Sequence, residues 1–142
     1  MTQVDFYTGA ADRLLIACRL CAKAAQQALR TVVHVPDERL ASQFDKLLWT
    51  FVPTSFVPHC RQGDKLAGVT PVVVSSQSIV TKAGDFDVLL NLDTVIPPGF
   101  EQFQRVVEIA DETGEGRLQA RKRYRAYQEQ GYDIRHHRLD GN

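Results

Sequence analysis

The stretch Thr31-Val32-Val33-His34-Val35-Pro36-Asp37-Glu38 joins a strand to a helix and decides the fold class. Residues 31–35 are mostly β-branched and apolar, which is typical of a strand buried on both faces. Pro36, Asp37 and Glu38 open a helix, because acids are favourable in a first turn. The apolar side chains that follow recur at helical spacing, at Leu40, Phe44, Leu47 and Leu48. A buried strand followed directly by an amphipathic helix indicates an α/β domain.

The same alternation of strands and helices runs through the rest of the chain. Helices are predicted over residues 11–30 and 117–130, the second ended by Gly131 as its C-terminal cap. Strands are predicted over residues 4–7 and 105–110, and buried strands over residues 71–75 and 87–92. Residues 96–99 form a predicted turn, and residues 132–139 a last edge strand. The pattern predicts a single α/β domain over residues 1–142, with a mostly parallel sheet flanked by helices.

Length, charge and cysteine content narrow the class of protein. The 142 residues fit one domain, and 17 basic residues balance 17 acidic ones. A zero net charge argues against a dedicated nucleic-acid binder, which is usually clearly basic. No apolar run reaches the roughly 18 residues of a membrane helix, and the start of the chain lacks a signal-peptide pattern. Three cysteines without framework spacing favour a reducing compartment. We therefore expect a cytoplasmic protein that crosses no membrane and reads no specific nucleic-acid sequence.

Motifs that would indicate an enzyme are missing from the sequence. Neither a dinucleotide fingerprint nor a phosphate-binding loop is present, and the loop after the first strand, residues 8–11, carries one glycine. Cys18 and Cys21 could form a metal or redox pair, but their helical spacing favours small core residues. His34 lies in an apolar strand, which favours a core histidine over a ligand. We predict no catalytic residue, no metal site and no cofactor.

The neutral total hides a basic segment near the carboxyl-terminal end. Residues 117–138 hold seven Lys or Arg against two acids. At about 100° per residue, Arg117, Arg121, Tyr124 and Arg125 fall on one face of the predicted helix. Three guanidiniums beside an aromatic ring suit a carboxylate that carries an apolar neighbour. Two alternatives remain, an ordinary solvated helix face and a patch that binds nucleic acid directly.

Aromatic side chains and prolines alternate in residues 48–59, Leu-Trp-Thr-Phe-Val-Pro-Thr-Ser-Phe-Val-Pro-His. The prolines exclude one regular helix or a central strand here. The aromatic residues, Trp49 and Phe56 among them, form either a satellite core cluster or a protein-binding surface, where Trp and Phe are enriched.

Several stretches of this sequence resemble one known family, the chi subunit of bacterial DNA polymerase III holoenzyme. Asp45-Lys46-Leu47-Leu48-Trp49 followed by Ser55-Phe56-Val57-Pro58-His59 is similar to the most recognisable stretch of that family. Arg121-x-Arg123-Tyr124-Arg125-x-Tyr127 followed by Gly131-Tyr132 also matches, in the same order. The resemblance extends over residues 4–139.

The resemblance implies a fold related to nucleotide-binding domains but without their phosphate loop, and an adaptor without enzymatic activity or cofactor. Family members bind the psi subunit, which tethers them to the clamp loader. They also bind the acidic C-terminal tail of single-stranded DNA-binding protein, which ends in Pro and Phe. Carried over by motif position, the tail site comprises Arg117, Arg121, Tyr124 and Arg125, with Trp49 as an apolar wall. Phe56 is placed at the psi interface. This chain departs from the family in the small Ala110, where a larger apolar residue often lines the tail pocket.

Overall fold

A computed structural model describes residues 2–51, 57–76 and 86–139. Its strands are β1 (Gln3–Thr8), β2 (Thr31–His34), β3 (His59–Arg61), β4 (Val72–Ser75), β5 (Val88–Asn91), β6 (Arg105–Ile109) and β7 (Asp133–Arg138). Its α-helices are α1 (Arg13–Gln26), α2 (Glu38–Thr50) and α3 (Gly114–Glu129), and Phe100–Gln102 form a short 3-10 helix.

The seven strands form one sheet in the order β3-β4-β2-β5-β6-β1-β7. Every strand pairing in the described ranges is parallel. The predicted α/β class is therefore confirmed, and the sheet is more uniformly parallel than the sequence indicated. The first strand lies between β6 and β7, so β7 is an edge strand, as predicted.

Helices cover both faces of this sheet. Helices α1 and α2 pack on one face through Ile16, Cys18, Phe44 and Leu48, against strand residues such as Val33. Helix α3 packs on the other face through Ala120 and Tyr127, with Phe100 and Phe103 beside it. A sheet buried on both faces explains why its central strands are apolar throughout.

The largest differences from the predicted element bounds concern α1, α3 and β3, whereas most other ends differ by one residue. Helix α1 ends at Gln26 rather than 30, because Ala28 takes a left-handed conformation (φ 61°) and turns the chain. Helix α3 begins at Gly114 instead of 117. Strand β3 is three residues long and was not predicted at all. Its sequence, His-Cys-Arg, has neither the β-branched composition nor the length of a recognisable strand.

The cysteines and His34 have the core positions that the sequence favoured. Cys18 and Cys21 are fully buried among the apolar residues between α1 and the sheet. Burial raises the pKa of the Cys18 thiol to about 12. His34 is also buried, with its Nε2 3.6 Å from Oδ2 of Asp93. None of the helices in the described ranges has the length and apolar character to cross a membrane.

Candidate functional site

A groove of about 550 Å³ lies between α3 and the β1–β7 edge of the sheet. Three of the predicted site residues line it together: Arg117, Arg121 and Tyr124. The groove also meets the carboxyl ends of β1 and β6, at Gly9 and Ala110. The carboxyl ends of parallel strands are the usual position of binding sites in open α/β sheets.

The floor of this groove is apolar and well packed. Phe6, Ala110 and Ala120 are all nearly inaccessible to solvent and form a small cluster. The Tyr124 ring meets Phe6 edge to face, with ring centroids 5.2 Å apart, and is half-buried. The small Ala110 leaves room above this floor, so the groove offers contact area to an apolar side chain.

The rim of the groove is predominantly basic. Arg121 and Arg138 are exposed on it, from α3 and β7 respectively. Arg117 is partly neutralised, because its guanidinium lies 3.3 Å from Glu112 Oε1. His136 adds an imidazole whose Nε2 lies 2.8 Å from Thr8 Oγ1. An anionic group that enters the groove therefore meets more positive than negative charge.

Glycine is required at the end of β1, where the chain turns into the groove. Gly9 has φ +82°, and a Cβ at this position would overlap the carbonyl oxygen of Leu139. Its amide donates to Glu112 Oε2 over 3.0 Å. The turn thus brings the ends of β1 and β7 together at one corner of the groove.

Arg125 lies beside the groove rather than in it. It lines a second depression of about 330 Å³ on the outer side of α3, together with Leu118, Lys122 and Ala126. Arg121 lines both depressions, so the basic surface is continuous across the helix.

Arg123 contributes nothing to this exposed basic surface, although the sequence count included it. It is 4% exposed, and its Nε donates to Glu108 Oε1 over 2.9 Å. Tyr127 Oη and Asn91 Nδ2 donate to the other oxygen, Oε2, over 2.7 and 2.9 Å. Arg123 also donates to the Thr94 carbonyl oxygen. The network binds α3 to β5 and β6 and so fixes the helix that carries the groove.

Burial raises the pKa of Glu108, and the Arg123 guanidinium and the hydrogen bonds from Asn91 and Tyr127 oppose that shift. All three partners donate, which suits an acceptor carboxylate. The sequence pattern did not predict this network. The available signal was one acid inside the apolar run Val106-Val107-Glu108-Ile109, followed by Arg123 and Tyr127 at helical spacing.

Trp49 lies far from the groove. It is 56% exposed near the end of α2, and its ring packs on His59 of β3 with centroids 4.7 Å apart. Strand β3 is the edge opposite β7, and six strand spacings of about 4.8 Å separate the two edges by roughly 29 Å. The structure therefore does not bring Trp49 to Arg121. Phe56, the residue predicted at the psi interface, lies outside the described residues.

The described residues contain no group of three or more His, Cys, Asp or Glu side chains placed to hold a metal ion. Within them, Cys18, Cys21 and Cys60 are free thiols.

Comparison with known proteins gives a consistent result. The family model described as "DNA polymerase III chi subunit, HolC" matches residues 1–135. Three similar proteins are each named DNA polymerase III subunit chi. The Pseudomonas aeruginosa protein is 39% identical, with 98% of both chains covered. The Haemophilus influenzae protein is 27% identical, over 84% of this chain and 82% of that one. The Escherichia coli protein is also 27% identical, over 84% and 80%.

Among solved structures, the crystal structure of T4 UvsW aligns with a TM-score of 0.69 over 97% of this chain. The identity is 8% and the alignment spans 41% of that structure, so the similarity concerns the fold alone. The family match, by contrast, extends over nearly the whole sequence and agrees with the motifs. The chain belongs to the chi-subunit family of DNA polymerase III, an accessory subunit in DNA replication.

Proposed function

We propose that this protein is a non-catalytic adaptor with two binding surfaces. One surface, the groove between α3 and the β1–β7 edge, binds the acidic C-terminal tail of single-stranded DNA-binding protein. The other, near β3, binds the psi subunit and so links the chain to the clamp loader. The observation that carries the proposal is the groove itself, which combines an apolar floor with exposed guanidiniums.

The chemistry of the groove matches a peptide that ends in an aromatic residue. Such a ligand has a chain-end carboxylate next to an apolar ring. Arg121 lies centrally on the rim, where a two-pronged contact with a carboxylate is feasible. Tyr124 and the floor beneath it supply contact for the ring. Arg117, already beside Glu112, and Arg125, on the outer side of α3, would attract acids upstream of the terminus.

The β3 side of the molecule supports the second surface. Trp49 is exposed there, and Trp is enriched at protein interfaces. Phe56 follows seven residues later, just before the buried Val57. In this proposal Trp49 belongs with Phe56 at the psi surface instead of forming a wall of the tail site.

Arg121→Ala tests the tail site. We expect this change to weaken binding of a tail peptide by about 1.5–3 kcal/mol, measured by calorimetry, because it removes a charge-assisted contact. Arg117→Ala is expected to cost less and to vary more with salt, since a peripheral charge is screened. Arg19→Ala, which changes an exposed arginine on α1, is the control and leaves affinity unchanged. Normal tail binding by a folded Arg121→Ala protein would contradict the proposal.

A second candidate function is direct binding of nucleic acid. It is favoured by the exposed cations of α3 and β7, which are Arg121, Lys122, Arg125, Arg135 and Arg138. A salt titration with bare single-stranded DNA separates the two functions, because binding through phosphates falls steeply with salt. If Arg121→Ala weakens DNA binding and leaves tail binding intact, the second candidate is correct.

A further inference from the structure

The outer edge of β7 has unused backbone hydrogen-bonding groups. The Leu139 amide donates to the Thr8 carbonyl oxygen, so the backbone of residue 139 points towards β1. Because backbone groups alternate along a strand, those of Ile134, His136 and Arg138 point away from β1. In the described residues, β7 pairs with β1 alone. Three N–H and three C=O groups are thus available at this edge.

This edge adjoins the groove. His136 and Arg138, whose backbones face outward, also line the groove with their side chains. Tyr124 lies beside the same strand, with its ring centroid 6.3 Å from that of His136. On a helical wheel, Arg121 and Gln128 fall within about 60° of Tyr124, so α3 presents polar side chains along the length of this edge.

The charges at the edge select its partner. Strand β7 exposes Arg135, His136 and Arg138 against one acid, Asp133. Two copies paired through β7 would each contribute Arg135 and Arg138 against one acid, and this net positive charge opposes their pairing. An acidic strand would instead be attracted by these arginines and by Arg121.

We propose that an acidic peptide bound in the groove continues along β7 as an eighth, parallel strand. The proposal rests on the proposed function, since the groove holds the carboxyl end of the same peptide. The groove lies at the carboxyl end of β7, so a peptide that extends from it towards Asp133 runs parallel to β7. Backbone pairing along β7 would make the binding of the acidic part of the peptide depend little on its individual side chains.

Two variants of one residue test the edge in the protein. His136→Ala and His136→Pro both remove the imidazole, but only proline also removes the outward N–H, and proline is tolerated in edge strands. The probe is a synthetic peptide of about nine residues, acidic and ending in Pro-Phe with a free carboxylate. We expect His136→Pro to bind it about fivefold to tenfold more weakly than His136→Ala, the effect of one backbone hydrogen bond. A peptide of only the terminal three residues is expected to bind both variants equally.

Modified peptides test the same edge with the unaltered protein. Methylation of alternate amide nitrogens in the acidic part removes either the amides that face β7 or those that face solvent. We expect one methylated set to lose binding about tenfold or more and the other, its matched control, to lose little. This comparison decides the question even if His136→Pro fails to fold.

The outcomes separate the two proposals. If neither peptide binds the unaltered protein, the proposed tail site is wrong. Suppose that both the long and the short peptide bind the unaltered protein. If the two methylated sets then bind equally well, and His136→Ala and His136→Pro have equal affinity for the long peptide, only the added strand is wrong. The added strand would also be wrong if the free protein self-associates and His136→Pro abolishes that self-association. In that case β7 would pair with a second copy of the chain.

Discussion

At the scale of single residues, burial separates arginines that look alike in the sequence. Arg121 and Arg125 are exposed on α3, whereas Arg123 between them is buried against Glu108. An arginine is buried at low cost only when its charge and its donors are matched, and Glu108 and the Thr94 carbonyl provide that match. The exposed arginines remain available to a ligand, while Arg123 holds the helix in place.

We expect Glu108→Gln to lower the free energy of unfolding by about 3–5 kcal/mol. The amide has nearly the same shape but leaves the Arg123 guanidinium buried without a counter-charge. Urea denaturation measures the loss. The double variant Glu108→Leu/Arg123→Met removes both charges and is expected to recover much of it. A single variant as stable as the parent would show that the ion pair has no structural role.

At the scale of elements, the first turn of α3 contains two glycines in different surroundings. Thr113 precedes the helix and donates to Asp111 Oδ1 through both its amide and its hydroxyl. Gly116 lies directly against the Asp111 side chain, and any Cβ there would overlap it. A Cβ at Gly114 would lie in open space. Two glycines in one turn thus have different constraints.

Alanine at these two glycines is expected to have opposite effects. Gly114→Ala should raise the free energy of unfolding by up to about 1 kcal/mol, because alanine loses less conformational entropy in a helix. Gly116→Ala should lower it, since Asp111 must move and its bonds to Thr113 weaken. Thermal unfolding of the two variants provides the comparison. Equal stabilisation by both would show that Asp111 adjusts freely.

In the first turn of α3 the structure differs from the sequence prediction. The apolar strands and the periodic helices α1 and α2 were predicted because burial on both sheet faces leaves a strong pattern. Glycines disfavour a helix, so the sequence predicts the start of α3 only at Arg117, and packing on Asp111 accounts for Gly116 alone. Arg117, Arg121 and Tyr124 were found from helical spacing. The sequence pattern does not predict the contributions of Gly9, Glu112 and His136, because only strand order and register bring these residues to the groove.

At the scale of the whole molecule, the proposed surfaces lie at opposite edges of one sheet. The groove uses β1, β7 and α3, whereas Trp49 and His59 lie at β3. The core between them consists of buried strands that are mostly apolar, with the Glu108 network among them. In the proposed adaptor the two partners would bind about a domain width apart, so neither would touch the other's site.

Phe56→Ala is expected to weaken psi binding by about 2 kcal/mol or more, as interface aromatics often do, and to leave tail binding unchanged. Arg121→Ala is expected to have the reverse selectivity. Because the surfaces are distant, the double variant should show both losses, additive within about 0.5 kcal/mol. Calorimetric titration with each partner, alone and with the other present, measures these effects. Clear non-additivity would contradict an adaptor with separate sites.

The position of β1 between β6 and β7 has a consequence for biosynthesis. The ribosome makes β1 first, yet both of its neighbours come from the last third of the chain. While the intermediate residues are being made, β1 has exposed edges and no sheet to join. The groove forms only after residue 138 has left the exit tunnel, so a nascent chain cannot hold a ligand in this groove while β7 is still inside the ribosome.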